Sequence, residues 1–194
     1  TKGSLSALFI KHGADDFLRK PFCPEELNCR VITTLERRDL MRALKQAALF
    51  DALTGLYNRR AFYEQGIQQI AQAQEAGQTV SVAMLDLDLF KRINDEYGHA
   101  SGDAALTLFA RALSSAFPQA LTGRLGGEEF ALLCTDDSDT LAQALDHLRK
   151  QCAGLRYAAG APALSFSAGV SQSTSEDLEQ LLQKSDHHLY QAKR

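Results

Sequence analysis

The segment RLGGEEFALL, residues 124–133, constrains this chain most. Two glycines and two adjacent glutamates, Glu128 and Glu129, interrupt a run of apolar residues that ends at Leu125 and resumes at Phe130. Glycine accepts tight-turn backbone, so the pattern reads as two strands joined by a hairpin. Two like charges side by side repel unless a cation lies near them. The hairpin therefore poses a chemical question as well as a structural one: what cation sits against the glutamates.

Strands and helices alternate around this hairpin. TVSVAMLDLD is an apolar strand over 79–85 that runs out into Asp86 and Asp88. In SGDAALTLFARALSSAF, Leu106, Phe109, Ala110, Leu113 and Phe117 fall at helical spacing. A helix is expected at about 139–153 on Leu141, Leu145, Leu148 and Cys152, a strand at 163–170 and a last helix at about 176–193. Ahead of these, DALTGLYNRRAF is a polar entry into a helix that continues to about Ala76 and stops at Gly77. The expectation is an α/β fold, a mixed sheet flanked by helices.

The first fifty residues read differently. SLSALFIKH over 4–12 is helical, Gly13 closes it, and DDFLRK is a short strand. Pro24 then opens a helix, with Glu25 and Glu26 in its first turn where the dipole favours them, running to about Phe50 with an apolar seam of Leu40, Leu44 and Ala47.

Asp86 and Asp88 alternate along one strand and so can share a face. If that strand neighbours the hairpin, Asp86 meets one of the two glutamates at one end of the sheet. Hard oxygen ligands of this kind suit Mg²⁺ (or Mn²⁺), which keeps several waters and shares its shell with substrate phosphates. The stretch DLDLFKRINDEYGHASGD adds groups a nucleotide needs. Lys91 is a point charge for phosphate, Asn94 has a donor and an acceptor, and Asp103 can accept both N–H groups of a guanine edge.

Composition narrows the classes. With 21 Lys and Arg against 24 Asp and Glu, the formal net charge is −3, and no basic excess argues for nucleic acid. No apolar run approaches the roughly 20 residues of a membrane span, so no membrane partner is expected and the cytoplasm is the default compartment. Cys23, Cys29, Cys134 and Cys152 form no CxxC pair and read as small packing residues. His187 and His188 read as helix-surface residues.

Residues 51–194 resemble the GGDEF family of diguanylate cyclases. Four blocks carry the resemblance in order: DALTGLYNRRAF, DLDLFKRINDEYGHASGD, RLGGEEF and DHHLYQAKR. The resemblance implies a palm-like core of the adenylyl-cyclase and polymerase type. It implies metal binding by Asp86, the Leu87 carbonyl and Glu128, with Glu129 as catalytic base. It implies that Lys91 and the N–H groups of Leu89 and Phe90 hold phosphates, that Asn94 and Asp103 read guanine with His99 close by, and that Lys193 reaches the triphosphate. The activity implied is condensation of two GTP to cyclic di-GMP in a two-fold homodimer. The alternative is a catalytically silent, GTP-binding regulatory module. Many members restrain themselves through an R-x-x-D motif whose Asp precedes the glycine pair by six positions; here those positions are Phe117 and Ala120.

Residues 1–35 resemble the C-terminal part of a response-regulator receiver domain, on the strength of GADDFLRKPF followed by PEEL. Lys20 matches the lysine that partners the phosphoryl group, which implies an upstream histidine kinase acting on an intact receiver. Residues 36–50 would be a connecting helix, and the chain would be a fragment of a longer protein.

Overall fold

The computed structural model describes residues 11–18 and 20–194. The described residues divide into two compact units on either side of the Ala47–Ala48 bond.

Among the described residues the first unit carries the long helix α1, Pro24–Leu49, whose last two residues belong to the second unit and which has no buried residue. Its seam is exposed, Leu40 at 62% and Leu44 at 56%. The unit is pinned by Arg30, whose Nη1 donates to both carboxylate oxygens of Asp16 at 3.1 and 2.9 Å. That hydrogen bond, with one from the Phe17 N–H, holds the Asp16 carboxyl below its ordinary value. The helix expected at 4–12 lies almost wholly outside the described residues. The strand expected for DDFLRK does not form over residues 14–18. A strand exists by pairing, and the described residues of this unit offer no second strand. Cys23 and Cys29 are exposed, so they do not pack as expected. Lys20 is exposed, in a cis Lys20–Pro21 pair.

The second unit is built on a five-stranded sheet. In chain order its elements are β1 Tyr57–Asn58, α2 Arg59–Glu75, β2 Val80–Leu87, α3 Phe90–Tyr97, α4 His99–Ala116, β3 Leu121–Gly126, β4 Glu129–Cys134, α5 Ser138–Cys152, β5 Phe166–Ser173 and α6 Leu178–Ala192. The sheet order is β1-β3-β4-β2-β5, with β1 parallel to β3 and the other pairs antiparallel.

Strand alternation divides the core between the two faces. Ala83, Leu85 and Leu87 of β2, with Phe130 and Leu132 of β4, pack under α4 and α5. There Phe109 meets Phe130 edge-on at 4.8 Å between ring centres, an arrangement that contributes about 1 kcal/mol beyond its buried area. Val80, Val82 and Met84, with Ala131 and Leu133, face the other way, onto α2 and α6. Helix starts follow local chemistry. Asn58 caps α2 by accepting from Ala61 N, Asp137 caps α5 through Asp139 N and Thr140 N, and Asp177 forms a capping box with Gln180.

The apolar positions expected on α4 and α5 are all buried. Two details differ. The entry to α2 contains the two-residue strand β1, and β5 begins at Phe166, three positions after the expected start.

Candidate active site

The hairpin lies between β3 and β4, and β4 pairs with β2 so that Asp86 is directly opposite Glu129. Both carboxylates continue the Val82–Met84 and Ala131–Leu133 face of their strands, toward α6. They line one groove of about 850 Å³ together with Gln183, Lys184, His188 and Lys193. Glu128 sits in the turn, half-buried, and its carbonyl accepts from the Leu87 N–H at 3.3 Å. Of the two adjacent glutamates, Glu129 is the cross-strand neighbour of Asp86.

The cation closest to this acidic pair in the chain itself is Lys193, whose Nζ lies 2.6 Å from Asp86 Oδ1. It stands just after the last turn of α6, and that helix is docked closely. A Cβ on Gly169 of β5 would fall 2.1 Å from the Ser185 carbonyl oxygen and 2.2 Å from the Leu189 nitrogen. Within the same contact the Ser185 hydroxyl donates to the Val82 carbonyl at 2.9 Å and the Ser171 hydroxyl to that of Leu181 at 2.8 Å. His187 and His188 are exposed on α6 as expected, and the ring Nδ1 of His188 lies 2.7 Å from the Val170 carbonyl.

Asp88 stays close to this face and turns toward β5, onto Ser167, the cross-strand partner of Asp86. Its N–H donates to the Ser165 carbonyl at 3.0 Å, and its carboxylate accepts from the hydroxyls of Ser165 and Ser167, the latter at 2.7 Å. β2 ends at Leu87, and Asp88, just past it, ties the strand end to β5 through the two serine hydroxyls.

Beyond Asp88 the chain turns into α3 through Leu89, the one non-glycine residue with positive φ among those described (φ 57°, ψ 25°). Its side chain is 67% exposed, so burial does not account for the strain. Left-handed backbone costs a leucine about 1–2 kcal/mol and places the Leu89 and Phe90 N–H groups at a helix start, where amides lack partners and attract anions. Lys91 is exposed in the first turn of α3.

Asn94 projects from α3 onto α4. A Cβ on Gly102 would lie 2.0 Å from Asn94 Oδ1, so the seat of Asn94 depends on a residue without a side chain. Next to it Asp103 is exposed, and His99 is exposed at the first position of α4.

Sequence reasoning assigned no role to Arg124, yet it ties the hairpin to the start of the unit. Its Nε donates to the Gly127 carbonyl at 2.9 Å, and its Nη1 reaches Asp51 Oδ1 and Oδ2 at 3.1 and 3.3 Å. Asp51 also accepts from Thr54 N and Thr54 Oγ1 at 2.9 and 2.6 Å. Burial pushes the Asp51 carboxyl up, but the hydrogen bonds from Thr54 and Arg124 outweigh it and hold the group below its ordinary value. Gly127 has φ 47°, a conformation that presents its carbonyl to Arg124 and that residues with a Cβ rarely adopt. Cys134 and Cys152 are buried, their thiols pushed up to about 11 by burial, which leaves them inert.

The site suits a divalent cation shared with a substrate. Asp86 and Glu129 offer hard oxygens on one face, and a cation, the Lys193 ammonium, already lies against Asp86. Among the described residues no three His, Cys, Asp or Glu side chains gather into a cage.

Comparison with known proteins agrees with this architecture. The family described as "Diguanylate cyclase, GGDEF domain" matches residues 48–194, and the chain belongs to it. The response regulator PleD of Caulobacter vibrioides is 36% identical over 201 residues, covering 95% of this chain and 44% of PleD. Diguanylate cyclase VdcA of Vibrio cholerae is 36% identical over 180 residues, covering 89% of this chain and 52% of VdcA. The chain thus spans about half the length of these relatives. Among solved structures, the coiled coil and GGDEF domain of DgcB from Caulobacter crescentus, in complex with c-di-GMP, is similar with a TM-score of 0.78 at 27% identity, covering 88% of this chain and 93% of that one. The mixed five-stranded sheet flanked by helices is the palm-like fold of that family. No helix among the described residues is long and apolar enough to cross a membrane.

Proposed function

We propose that this chain is a diguanylate cyclase that condenses two GTP into cyclic di-GMP with release of two pyrophosphates. The observation that carries the reading is the register of β2 against β4, which pairs Asp86 with Glu129 on one face, in a groove that also holds Lys193. The reaction needs a deprotonated 3′-hydroxyl, a held α-phosphate and a stabilised leaving pyrophosphate. Asp86, the Leu87 carbonyl and Glu128 would hold Mg²⁺ or Mn²⁺, which when bound lowers the hydroxyl's pKa and offsets the charge of the leaving group. Glu129 accepts the proton of the attacking 3′-hydroxyl. Its oxygen then bonds to the α-phosphorus of the other GTP, and the bond from that phosphorus to the bridging oxygen breaks. The second hydroxyl repeats the step and closes the ring.

Binding falls to residues after the acidic strand. The Leu89 and Phe90 N–H groups with Lys91 hold phosphate oxygens, and Lys193 approaches them from α6. Asn94 and Asp103 read the guanine edge, with His99 beside them. Asp103 would face an acceptor on adenine, and a carboxylate that the bound base covers without a donor discriminates against that base. One site holds one GTP, so the working unit is two domains facing each other about a two-fold axis. Control would come through a receiver that includes residues 1–35 with Lys20, phosphorylated by a histidine kinase in the cytoplasm and relayed through the helix over 36–50.

The test is to incubate the purified chain with GTP and Mg²⁺ and separate the products by chromatography, with ATP in parallel. Cyclic di-GMP from GTP and nothing from ATP is expected. GTP that binds but is not turned over would instead establish the silent regulatory module.

A further inference from the structure

The Lys193 ammonium lies 2.6 Å from Asp86 Oδ1, a position from which a bound divalent cation would exclude it. We infer that Lys193 and a divalent cation hold Asp86 in alternation, and that this exchange makes cation and nucleotide load the site cooperatively. The inference rests on the reading of Asp86 as a cation-holding carboxylate.

A magnesium ion bonds its oxygen ligands at about 2.0–2.1 Å. An ammonium still seated on the same carboxylate would then sit within a few ångström of a dication, and Asp86 is only 14% exposed, so water screens that repulsion poorly. The two cations compete for the carboxylate. The lysine is the partner built to move. It is more exposed, at 37%, it follows the last turn of α6, and its four-carbon stem opens onto a groove of about 850 Å³. Asp86 is fixed in a ladder, paired on one side with Glu129 and on the other with Ser167.

The displaced ammonium needs a new anionic partner. Of the other carboxylates lining the groove, Glu176 already carries Lys184, and Glu129 and Asp186 each offer a single negative charge. A nucleotide triphosphate supplies the missing charge. Without nucleotide, then, Lys193 competes with the metal; with nucleotide bound, it is drawn to the phosphates and frees Asp86. The coupling is reciprocal, so metal favours nucleotide by the same factor as nucleotide favours metal.

The test is Mn²⁺ binding to the full chain without nucleotide, followed by electron paramagnetic resonance of free Mn²⁺, for the wild type, Lys193→Gln, Lys193→Arg and Asp86→Asn. Lys193→Gln should bind Mn²⁺ about tenfold more tightly than the wild type. Lys193→Arg keeps the charge and should stay near the wild type, which a merely structural role of the side chain would not require. Tightening in the Gln variant alone supports the exchange. Equal affinity in the wild type and Lys193→Gln, with binding lost in Asp86→Asn, overturns the exchange and leaves the site reading standing. Binding unaffected by Asp86→Asn, or no binding by Lys193→Gln, overturns both.

Discussion

The two sides of the candidate site are held by different means. Asp86 and Glu129 stand on neighbouring strands, where a ladder of paired residues running from Ser81 opposite Cys134 to Asp86 opposite Glu129 sets their positions. Asn94, His99 and Asp103 stand on two helices, and what locates Asn94 is one close approach to Gly102. A strand register has only discrete alternatives, because a slip of one residue would turn the carboxylates to the opposite face and Leu85 and Phe130 out of the core. A helix contact can relax by fractions of an ångström. On the proposed reading, chemistry that fails with small misplacement is placed on the sheet and base recognition on the helices.

The largest effect should come from the strand side. Asp86→Asn and Glu129→Gln keep shape and register while removing charge where cation and developing proton are handled. Each should lower kcat by about 10²–10³-fold or more, with the circular dichroism spectrum unchanged. Glu128→Ala tests the division of labour between the adjacent glutamates. A loss as large, reversed in part by raising Mn²⁺, would mark Glu128 as a cation ligand. An unchanged rate would leave that role to Asp86 and Glu129, the pair the register brings together.

Next in size is the brace behind the hairpin. Arg124→Ala removes the donor to the Gly127 carbonyl and leaves Asp51, only 24% exposed, without its guanidinium. Losing hydrogen bonds to a charged partner of this kind costs about 1–3 kcal/mol, and the melting temperature should fall by several degrees, roughly 2–4 °C per kcal/mol for a chain of this size. The pH dependence gives a second readout. The Asp51 carboxyl is lowered in the folded state, so its contribution is present above the ordinary carboxylate pKa of about 3.9 and is lost as pH falls through the lowered native value. The stability gap between the wild type and Arg124→Ala should be full at neutral pH and narrow below about pH 4 to the part contributed by the Gly127 carbonyl bond. A gap that stays constant through that window would show that the Asp51 carboxylate is not what Arg124 holds.

A subtler change probes the helix side. Alanine favours a helix over glycine by about 1 kcal/mol, so Gly102→Ala should not destabilise α4. Its Cβ would nonetheless fall on Asn94 Oδ1 and swing that side chain away. The expected result is an unchanged or raised melting temperature with the KM for GTP raised about tenfold, the loss of a base contact, and kcat at saturating GTP reduced less. An unchanged KM would separate Asn94 from guanine.

The strand side was also the more legible in sequence. Apolar runs around Asp86 and around the glycine pair located β2, β3 and β4, of which β2 and β4 are buried on both faces, and helical spacing located the buried faces of α4 and α5. What escaped has no local period. β1 is two residues long and exists only through its pairing with β3. The start of β5 was misplaced because Leu164 is as apolar as a strand residue, while the ladder opens only where Phe166 meets Leu87. The tie of Asp88 to β5 depends on Ser165 and Ser167, 77 and 79 residues away, and nothing near Asp88 announces them. Arg124 lay inside a recognised block without a role, since its partners, a turn carbonyl and Asp51 73 residues away, meet it only in the fold.

The smallest effect expected is at the end of α4, where family members often carry the Arg and Asp that bind product. Phe117 occupies the Arg position and is 9% exposed, packed into the core beneath the sheet. Its backbone N–H closes α4 onto the Leu113 carbonyl. A buried aromatic ring cannot make the bidentate contact that a guanidinium makes with a phosphate or a guanine edge, and Ala120 at the Asp position has no acceptor for guanine N–H groups. Restoring the motif is not a matter of exposure alone, because Phe117→Arg would put a charge into an apolar cluster and cost stability. The predicted outcome is that cyclic di-GMP, added to an initial-rate assay at saturating GTP, leaves the rate essentially unchanged, with no phosphodiesterase present to remove it. Strong inhibition at micromolar product, undiminished by more GTP, would require a binding surface elsewhere on the second unit, and protection of backbone amides from hydrogen exchange on adding product would locate it.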